Sequence, residues 1–392
     1  MTGSGKTAVF LHVIRHVLTV GKGVIVTVPE ISLTPQTLAV FTAAFGDTVA
    51  VFHSGLSVGE RMDEWKRVRT GRAKIVVGTR SAVFAPVQNL GLIVMDEEQE
   101  STYKSESTPR YHARDIAKFR VNYNRAYCLL CSATPSVESY YMAQSGKYRY
   151  HALHHRYGDA VVPTVQLVDM NNEDLYRGKP MISMALARAV SENIRAGRQS
   201  ILLLNRRGYH TYAVCKDCKT VAACPNCSIS MTYHAANNRL MCHYCGHSEP
   251  AYVRCKACGG ELTFSGGGTQ KAEDQLREAF PEARILRVDT DTTANKYALE
   301  KKLNAFANGE YDIMIGTQMV AKGLDFENVT LVGVLSADQS LYSDDYRSNE
   351  RTFDLLTQVV GRAGRGRYRG TALIQTHVPE NPYLHLAAAQ DY

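Results

Sequence analysis

The stretch Thr2-Gly3-Ser4-Gly5-Lys6-Thr7 constrains this chain more than any other. It fits the end of a phosphate-binding loop of the Walker type, G-x-x-x-x-G-K-[ST]. Gly3 and Gly5 let backbone N–H groups close on phosphate oxygens, with Ser4 between them. Lys6 is expected to reach the β- and γ-phosphates of ATP, and Thr7 to hold Mg²⁺. The apolar run at 8–20 supplies the helix whose N-terminus faces the phosphates. The pattern's first glycine, and the strand that feeds the loop, would stand before Met1. The competing reading is an ordinary glycine turn before a helix. The rest of the chain decides against it.

The chain has 392 residues, enough for two or three domains with their own cores. Apolar residues make up 45%, which argues for a globular chain. Lys and Arg exceed Asp and Glu by 45 to 38, a net +7 that suits a nucleic-acid partner without proving one. No apolar run reaches the ~18 residues of a membrane span. Residues 1–20 do not read as a signal peptide, because Arg15 and His16 interrupt the apolar part. A cytoplasmic protein with no membrane partner is expected. Eight of the ten cysteines stand in C-x-x-C pairs between Cys215 and Cys258, so metal is the better reading than disulfides.

In a first lobe, 1–156, short apolar runs alternate with helical stretches. The runs 23–28, 49–52, 74–77, 92–95 and 127–131 are nearly all apolar and predict strands buried on both faces. That is the pattern of a parallel sheet with crossover helices, whose ligands bind at the carboxyl ends of strands. The run 92–95 delivers Asp96-Glu97-Glu98-Gln99, the arrangement of a Walker B motif. Asp96 is expected to hold Mg²⁺ and Glu97 to orient or deprotonate the attacking water. The run 127–131 leads into Ser132-Ala133-Thr134-Pro135, whose hydroxyls can sense the nucleotide state. After other strands come Val28-Pro29-Glu30-Ile31-Ser32-Leu33-Thr34 and Gly78-Thr79-Arg80-Ser81. Their hydroxyls and Arg80 suit nucleic-acid phosphates, although singly each reads as a helix cap. The stretch 103–114 interleaves Tyr103 and Tyr111 with Lys104, Arg110, His112 and Arg114. It suits single strands, by stacking and phosphate contact, as well as it suits a solvated loop.

From residue 157 the alternation restarts, with runs at 165–168, 200–204, 284–288, 311–315, 330–334 and 371–375. This second lobe comprises 157–211 and 265–392, interrupted by an insertion at 212–264. The insertion holds the pairs Cys215/Cys218, Cys224/Cys227, Cys242/Cys245 and Cys255/Cys258. Each pair aims two thiolates at one ion, and two pairs complete a tetrahedral Zn²⁺ site, so eight thiolates make two structural sites. Spacing leaves all three ways of matching the pairs open. Asn237-Asn238 predicts a hairpin turn between the second and third pairs. Beyond the insertion, Gly266-Gly267-Gly268-Thr269-Gln270 precedes a charged helix. The segment 316–325 carries Thr317 and Lys322 after a strand. Gln358-Val359-Val360-Gly361-Arg362-Ala363-Gly364-Arg365 sets Gln358 toward the nucleotide and offers Arg362 and Arg365 as arginine fingers on the γ-phosphate.

The series TGSGKT, DEEQ, SATP, GTQMVAKGLD and QVVGRAGR, in this order, resembles the superfamily 2 helicases. The four cysteine pairs, with VPEISLTPQ, SESTPRYHARD and LLLNRRGYH, narrow the resemblance to the PriA family of primosomal replication-restart helicases, over essentially the whole chain. It implies two RecA-like parallel-sheet α/β lobes with a cysteine-rich double zinc-binding insertion in the second. It implies a bacterial ATP-driven 3′-to-5′ DNA helicase acting on single-stranded and forked DNA. Primosome and replication-restart proteins and the single-strand-binding protein are its implied partners. The resemblance also implies a nested pairing, Cys215, Cys218, Cys255 and Cys258 on one ion and Cys224, Cys227, Cys242 and Cys245 on the other. It places Gln99, Tyr103, Arg110, Tyr111 and Arg114 in coupling DNA to hydrolysis. Family members carry DNA-binding domains before the phosphate loop and continue past the position of Tyr392, so the chain reads as a catalytic core. Their fourth Walker B residue is commonly histidine; here it is Gln99. The alternatives are another superfamily 2 translocase, such as an RNA helicase, and a non-catalytic assembly platform.

Overall fold

The apolar runs become two parallel sheets, each within its own unit, Met1–Asp159 and Ala160–Tyr392. The structure is a computed structural model, and it describes residues 3–29, 35–156, 162–204, 211–234, 237–242, 245–265, 269–289, 298–321, 326–342, 345–364 and 368–392. Thr2, residues 30–34, 205–210 and 266–268, Lys322 and residues 323–325, and Arg365 lie outside them.

The first unit runs α1 (Lys6–Thr19), β1 (Gly23–Thr27), α2 (Pro35–Phe45), β2 (Val49–Phe52), α3 (Val58–Arg69), β3 (Ile75–Gly78), β4 (Leu90–Asp96), α4 (Ala113–Asn124), β5 (Tyr127–Cys131) and α5 (Val137–Gln144). The strands order β2-β3-β1-β4-β5, every pair parallel. Successive side chains of a strand point to opposite faces. Val24, Val26, Ile75, Val77, Leu92 and Val94 therefore pack with Phe10, Ile14 and Phe41 from α1 and α2. Ile25, Val76, Ile93 and Met95 pack on the other face with Val68, Ala113 and Ala117 from α3 and α4. Burial on both faces is why these runs carry no polar alternation. The last strand corrects the expectation. Among the described strands β5 pairs with β4 alone, and Tyr127 is 77% exposed.

The second unit runs β6 (Thr164–Asp169), α6 (Met184–Arg195), β7 (Gln199–Leu203), the cysteine-rich strands β8 (Thr211–Cys215), β9 (Thr232–His234), β10 (Arg239–Met241), β11 (Ser248–Pro250) and β12 (Leu262–Ser265), and then α7 (Thr269–Ala279), β13 (Ile285–Val288), α8 (Ala298–Ala307), β14 (Ile313–Gly316), α9 (Gln318–Ala321), β15 (Val329–Val334), α10 (Asp338–Leu341), α11 (Ser348–Val360), β16 (Thr371–Thr376) and α12 (Pro382–Ala389). Its parallel sheet orders β13-β14-β7-β15-β16-β6. The cysteine-rich strands form a separate antiparallel sheet, β11-β10-β9-β8-β12. Because β8 and β12 pair, the chain leaves and re-enters the parallel-sheet layer side by side. Ser230 Oγ donates to Tyr342 O at 2.5 Å and ties the insertion to the end of α10. The predicted hairpin forms: His234 pairs with Arg239 across a turn that includes Asn238 at φ 49°.

The two parallel sheets repeat one local design. Gly78 ends β3 and Gly316 ends β14, in each sheet the strand second from the edge. A Cβ on Gly78 would stand 2.2 Å from Phe52 O, and one on Gly316 2.2 Å from Val288 O, in both cases the end of the outer neighbouring strand. The next β-strand over donates to these same glycines, Val28 N to Gly78 O at 2.9 Å and Leu204 N to Gly316 O at 3.0 Å. Only glycine lets three strand ends converge this closely. Each glycine is followed by threonine, Thr79 and Thr317, at the carboxyl edge of its sheet.

Candidate nucleotide site and metal centres

The phosphate loop enters α1 through two left-handed glycines, Gly3 at φ 71° and Gly5 at φ 80°. Gly5 is the N-cap, and no side chain caps the helix. The first N–H groups of α1 are left to other acceptors, which makes the helix start an anion site. Ser4 and Thr7 flank Gly5 and Lys6 in this turn. Lys6 Nζ lies 2.7 Å from Glu97 Oε1 and 3.9 Å from Asp96 Oδ1. Burial works against the Lys6 charge, but Glu97 and Asp96 outweigh it and hold its pKa above the ordinary lysine value.

The acidic partners come from the turn after β4. Asp96 Oδ1 is shielded from solvent and accepts no hydrogen bond from the described residues. Burial, reinforced by Glu97 and opposed by Lys6, pushes the Asp96 carboxyl up to about 6. An orphaned carboxylate oxygen beside a phosphate loop fits a hard divalent cation such as Mg²⁺. Glu97 takes the left-handed backbone, φ 48°. It also accepts from Gln99 Nε2 at 2.8 Å; Gln99 Oε1 accepts from Ser132 Oγ at 2.6 Å, and Ser132 Oγ accepts from Thr134 N at 2.9 Å. The chain Lys6–Glu97–Gln99–Ser132–Thr134 thus joins the phosphate loop, the acidic turn and the SATP turn. The predicted nucleotide residues of the first unit converge on one place.

The aromatic-basic stretch is built differently from the expectation. Tyr103 is 1% exposed and no stacking platform. Its hydroxyl, with a single proton to donate, lies 2.9 Å from Thr27 O and 2.7 Å from Asp96 O. Arg114 is no surface phosphate contact either: Nη1 lies 2.8 Å from Glu98 Oε2, 2.7 Å from Ser136 Oγ and 2.8 Å from Ser139 Oγ. Arg80 turns inward too, donating to Thr102 O and Lys104 O at 3.1 and 2.6 Å, with Tyr111 beneath its guanidinium at 5.9 Å. Tyr111 is half-buried and meets Phe84 edge-on at 4.9 Å, whereas Arg110 stays exposed. The physical reason is common to all three. The β4–α4 connection crosses the carboxyl ends of β1 and β4, so its first tyrosine fills core, while Arg80, from the β3–β4 connection, satisfies the connection's carbonyls and Arg114, at the start of α4, a buried carboxylate. The sequence reading passed over Glu98. It is 2% exposed and accepts from Ser136 N at 2.7 Å and Ser139 Oγ at 3.0 Å besides Arg114. Ser136 and Ser139, spaced to cap α5, were the signal available for it.

In the second unit Thr317 follows β14, half-buried, and its carbonyl accepts from Val320 N at 3.0 Å. Gln358 lies on the last turn of α11, 5% exposed, and Arg362 follows in the turn after it. Gly364, at φ 70°, lets this turn lie against Gly370, whose N would be 2.4 Å from an added Cβ.

The eight cysteines fall into two groups, Cys215, Cys218, Cys255 and Cys258, and Cys224, Cys227, Cys242 and Cys245. Of the three possible matchings the structure has the nested one. Within each group all sulfurs lie within 4.8 Å of one another, with Cys215–Cys258 at 3.4 Å and Cys218–Cys255 and Cys224–Cys245 at 3.6 Å. A tetrahedral ion with Zn–S of about 2.3 Å sets its sulfurs about 3.8 Å apart, so both donor sets fit. All four pairs share one backbone form. The first cysteine's N–H donates five residues on, to Thr220, Ile229, His247 and Gly260, at 2.9, 2.7, 2.8 and 2.7 Å. Its carbonyl accepts from Lys219, Ser228, Gly246 and Gly259 at 3.2, 2.9, 2.9 and 2.9 Å. Those four residues all have positive φ, 59°, 58°, 76° and 77°. Only two are glycine, so the sequence did not advertise the motif.

A DEAD/DEAH box helicase family model matches residues 1–142, a helicase conserved C-terminal domain model 262–367, and a PriA DNA helicase Cys-rich region model 224–250. Replication restart protein PriA of Bacillus subtilis is 51% identical over 393 residues, 100% of this chain and 49% of that protein. The PriA of Chlamydia trachomatis is 45% identical, over 100% of this chain and 53% of that protein. The chain therefore spans about half the length of the curated relatives it matches. Among solved structures, RecG bound to a three-way DNA junction superposes with a TM-score of 0.55 at 16% identity, covering 100% of this chain and 41% of RecG. Mss116p bound to single-stranded RNA superposes at 0.57 and 12% identity, covering 98% of this chain and 66% of that one. Likeness at such identities concerns the fold, two RecA-like lobes; the cysteine-rich insertion in the second rests on the Cys-rich region model and the two cysteine groups.

Proposed function

The chain belongs to the PriA family of replication restart proteins, and we propose that it is the ATP-driven motor of a DNA helicase, moving 3′ to 5′ along single-stranded DNA at stalled or abandoned forks. One observation carries the reading: Lys6, at the head of α1 with no side-chain cap, faces Glu97 at 2.7 Å and the buried Asp96 Oδ1 at 3.9 Å. That arrangement of charges supports a triphosphate site.

Backbone N–H groups at residues 3–7 bind the β- and γ-phosphates, and Lys6 exchanges its carboxylates for phosphate oxygens. Asp96 and Thr7 would hold Mg²⁺, which neutralises charge on the phosphates. Once Lys6 is drawn away, Glu97 orients the attacking water. Ser132 senses that change through Gln99. Gln358, Arg362 and Arg365 act on the γ-phosphate as the second unit's contribution. Arg110, Tyr111, Thr317 and Lys322 act in the response to DNA. The two cysteine groups each hold a Zn²⁺, which supplies folding energy to a sheet of short strands. Partners are forked DNA, primosome and restart proteins and single-strand-binding protein, and the compartment is the bacterial cytoplasm. No helix of the described residues is long and apolar enough to cross a membrane.

The test is unwinding of duplexes bearing a 3′ or a 5′ single-stranded tail, with ATP turnover followed alongside. Turnover stimulated by DNA, with unwinding from the 3′ tail, is expected. Turnover indifferent to DNA argues for the assembly platform instead.

A further inference from the structure

Glu97 is held where it is by its two neighbours in sequence. A left-handed backbone is costly for a residue with a side chain, and it persists only where the surroundings enforce it. On one side, Asp96 O receives the Tyr103 hydroxyl. On the other, Glu98 N donates to Cys131 O at 3.1 Å, and the Glu98 carboxylate is locked by Ser136, Ser139 and Arg114. Three segments meet at that carboxylate: the acidic turn, the start of α4 and the start of α5. A carboxylate so buried is tolerated only when paired and fully hydrogen-bonded, so the Glu98 position is sharply defined. Glu98 reaches neither Lys6 nor the phosphate loop in the contacts it makes.

We propose that Glu98 and Arg114 are positioning residues for hydrolysis: the buried pair fixes the turn that aims Glu97, and neither residue touches nucleotide or DNA. The proposal rests on Glu97 being the residue that orients the attacking water. It also specifies the chemistry of the pair. One nitrogen, Nη1, lies within hydrogen-bond distance of Glu98, Ser136 and Ser139, although its two N–H groups serve only two of them at a time. No bidentate fork is used. A lysine ammonium, with three donors on one atom, can replace it, which is not so at a forked arginine site.

The experiment measures ATP turnover by the zinc-loaded full chain at saturating oligo(dT), for wild type, Arg114→Met, Arg114→Lys and Glu98→Gln. Arg114→Met should lower kcat by about tenfold or more, as misplacing a catalytic group does, with KM for ATP and Kd for oligo(dT) within about threefold. Arg114→Lys should keep at least about a third of the wild-type kcat. Glu98→Gln should resemble Arg114→Met, and the double variant should be no worse than the worse single one, because the two act as a unit. Hydrogen exchange at the amides of Glu98 and Ser136 should speed up by about tenfold in Arg114→Met, reporting the loosened turn directly. Wild-type kcat in Arg114→Met overturns the proposal, as does a loss confined to KM or to DNA affinity. Should Arg114→Met fail to fold, the near-isosteric Glu98→Gln carries the same comparison. If wild type itself does not turn over ATP, the Glu97 assignment falls, and unchanged exchange in Arg114→Met then overturns the bracket as well.

Discussion

Asp96 is the residue whose cost is plainest. Burial raises its carboxyl to about 6, against ~3.9 in an unfolded chain. A raised folded pKa means the folded state binds more protons between those values. The contribution of Asp96 to stability is thus present below about pH 4 and lost as pH rises through about 6. Asp96→Asn should therefore stabilise the ligand-free protein by roughly 2 kcal/mol above that range and by progressively less toward pH 4. It should also abolish ATP turnover. Thermal melts across that pH interval check the first part, and a gain independent of pH would contradict it. Tyr103 makes the opposite case. Tyr103→Phe removes the one proton that the carbonyls of Thr27 and Asp96 share and should cost about 1–2 kcal/mol in urea titrations, whereas Tyr103→Ala, opening a cavity in the core, should cost about 3–5. A stacking residue would have shown almost no cost in either. At this scale the phosphate loop and the acidic turn were legible because their residue types at their spacing have one common use. Tyr103, Arg114 and Glu98 were not. A tyrosine or an arginine in a polar loop looks the same in sequence whether it points inward or outward, and burial is decided by segments far away.

The strands were read from apolar runs, and β1 to β4 lie within two residues of the expected bounds. Runs buried on both faces leave little ambiguity about period. The β5 run was read as buried because Tyr127-Cys128-Leu129-Leu130-Cys131 is as apolar as the others; edge position is a property of pairing, which hydrophobicity does not record. Cysteine spacing announced metal but left the matching open, since each knuckle closes locally and says nothing about which knuckle faces it. The knuckles yield a prediction at their own scale. Replacing Cys224 and Cys227 by serine should leave one zinc ion per chain by elemental analysis. Amides around β9 and β10 should lose protection, because Met231 and Leu240 share their small core with Cys224 and Cys242. ATP turnover should survive better than unwinding. Two ions retained in that variant would refute the nested sites.

For the whole molecule, two sheets with the same glycine-locked strand ends carry complementary equipment. The first has the lysine and carboxylates of the candidate nucleotide site, the second the glutamine and arginine turn and the cysteine-rich insertion. The account makes ATP the energy source of this assembly, and Lys6 is where that claim is most exposed. Its charge stands between the phosphate loop and both carboxylates, so removing it withdraws the contact that follows charge onto the leaving phosphates. The decisive measurement is ATP turnover by Lys6→Ala at saturating single-stranded DNA, with DNA affinity measured on the same sample. The account predicts a fall of about 10²–10³-fold in turnover with DNA affinity within about threefold of wild type. Turnover near wild type in that variant would contradict it.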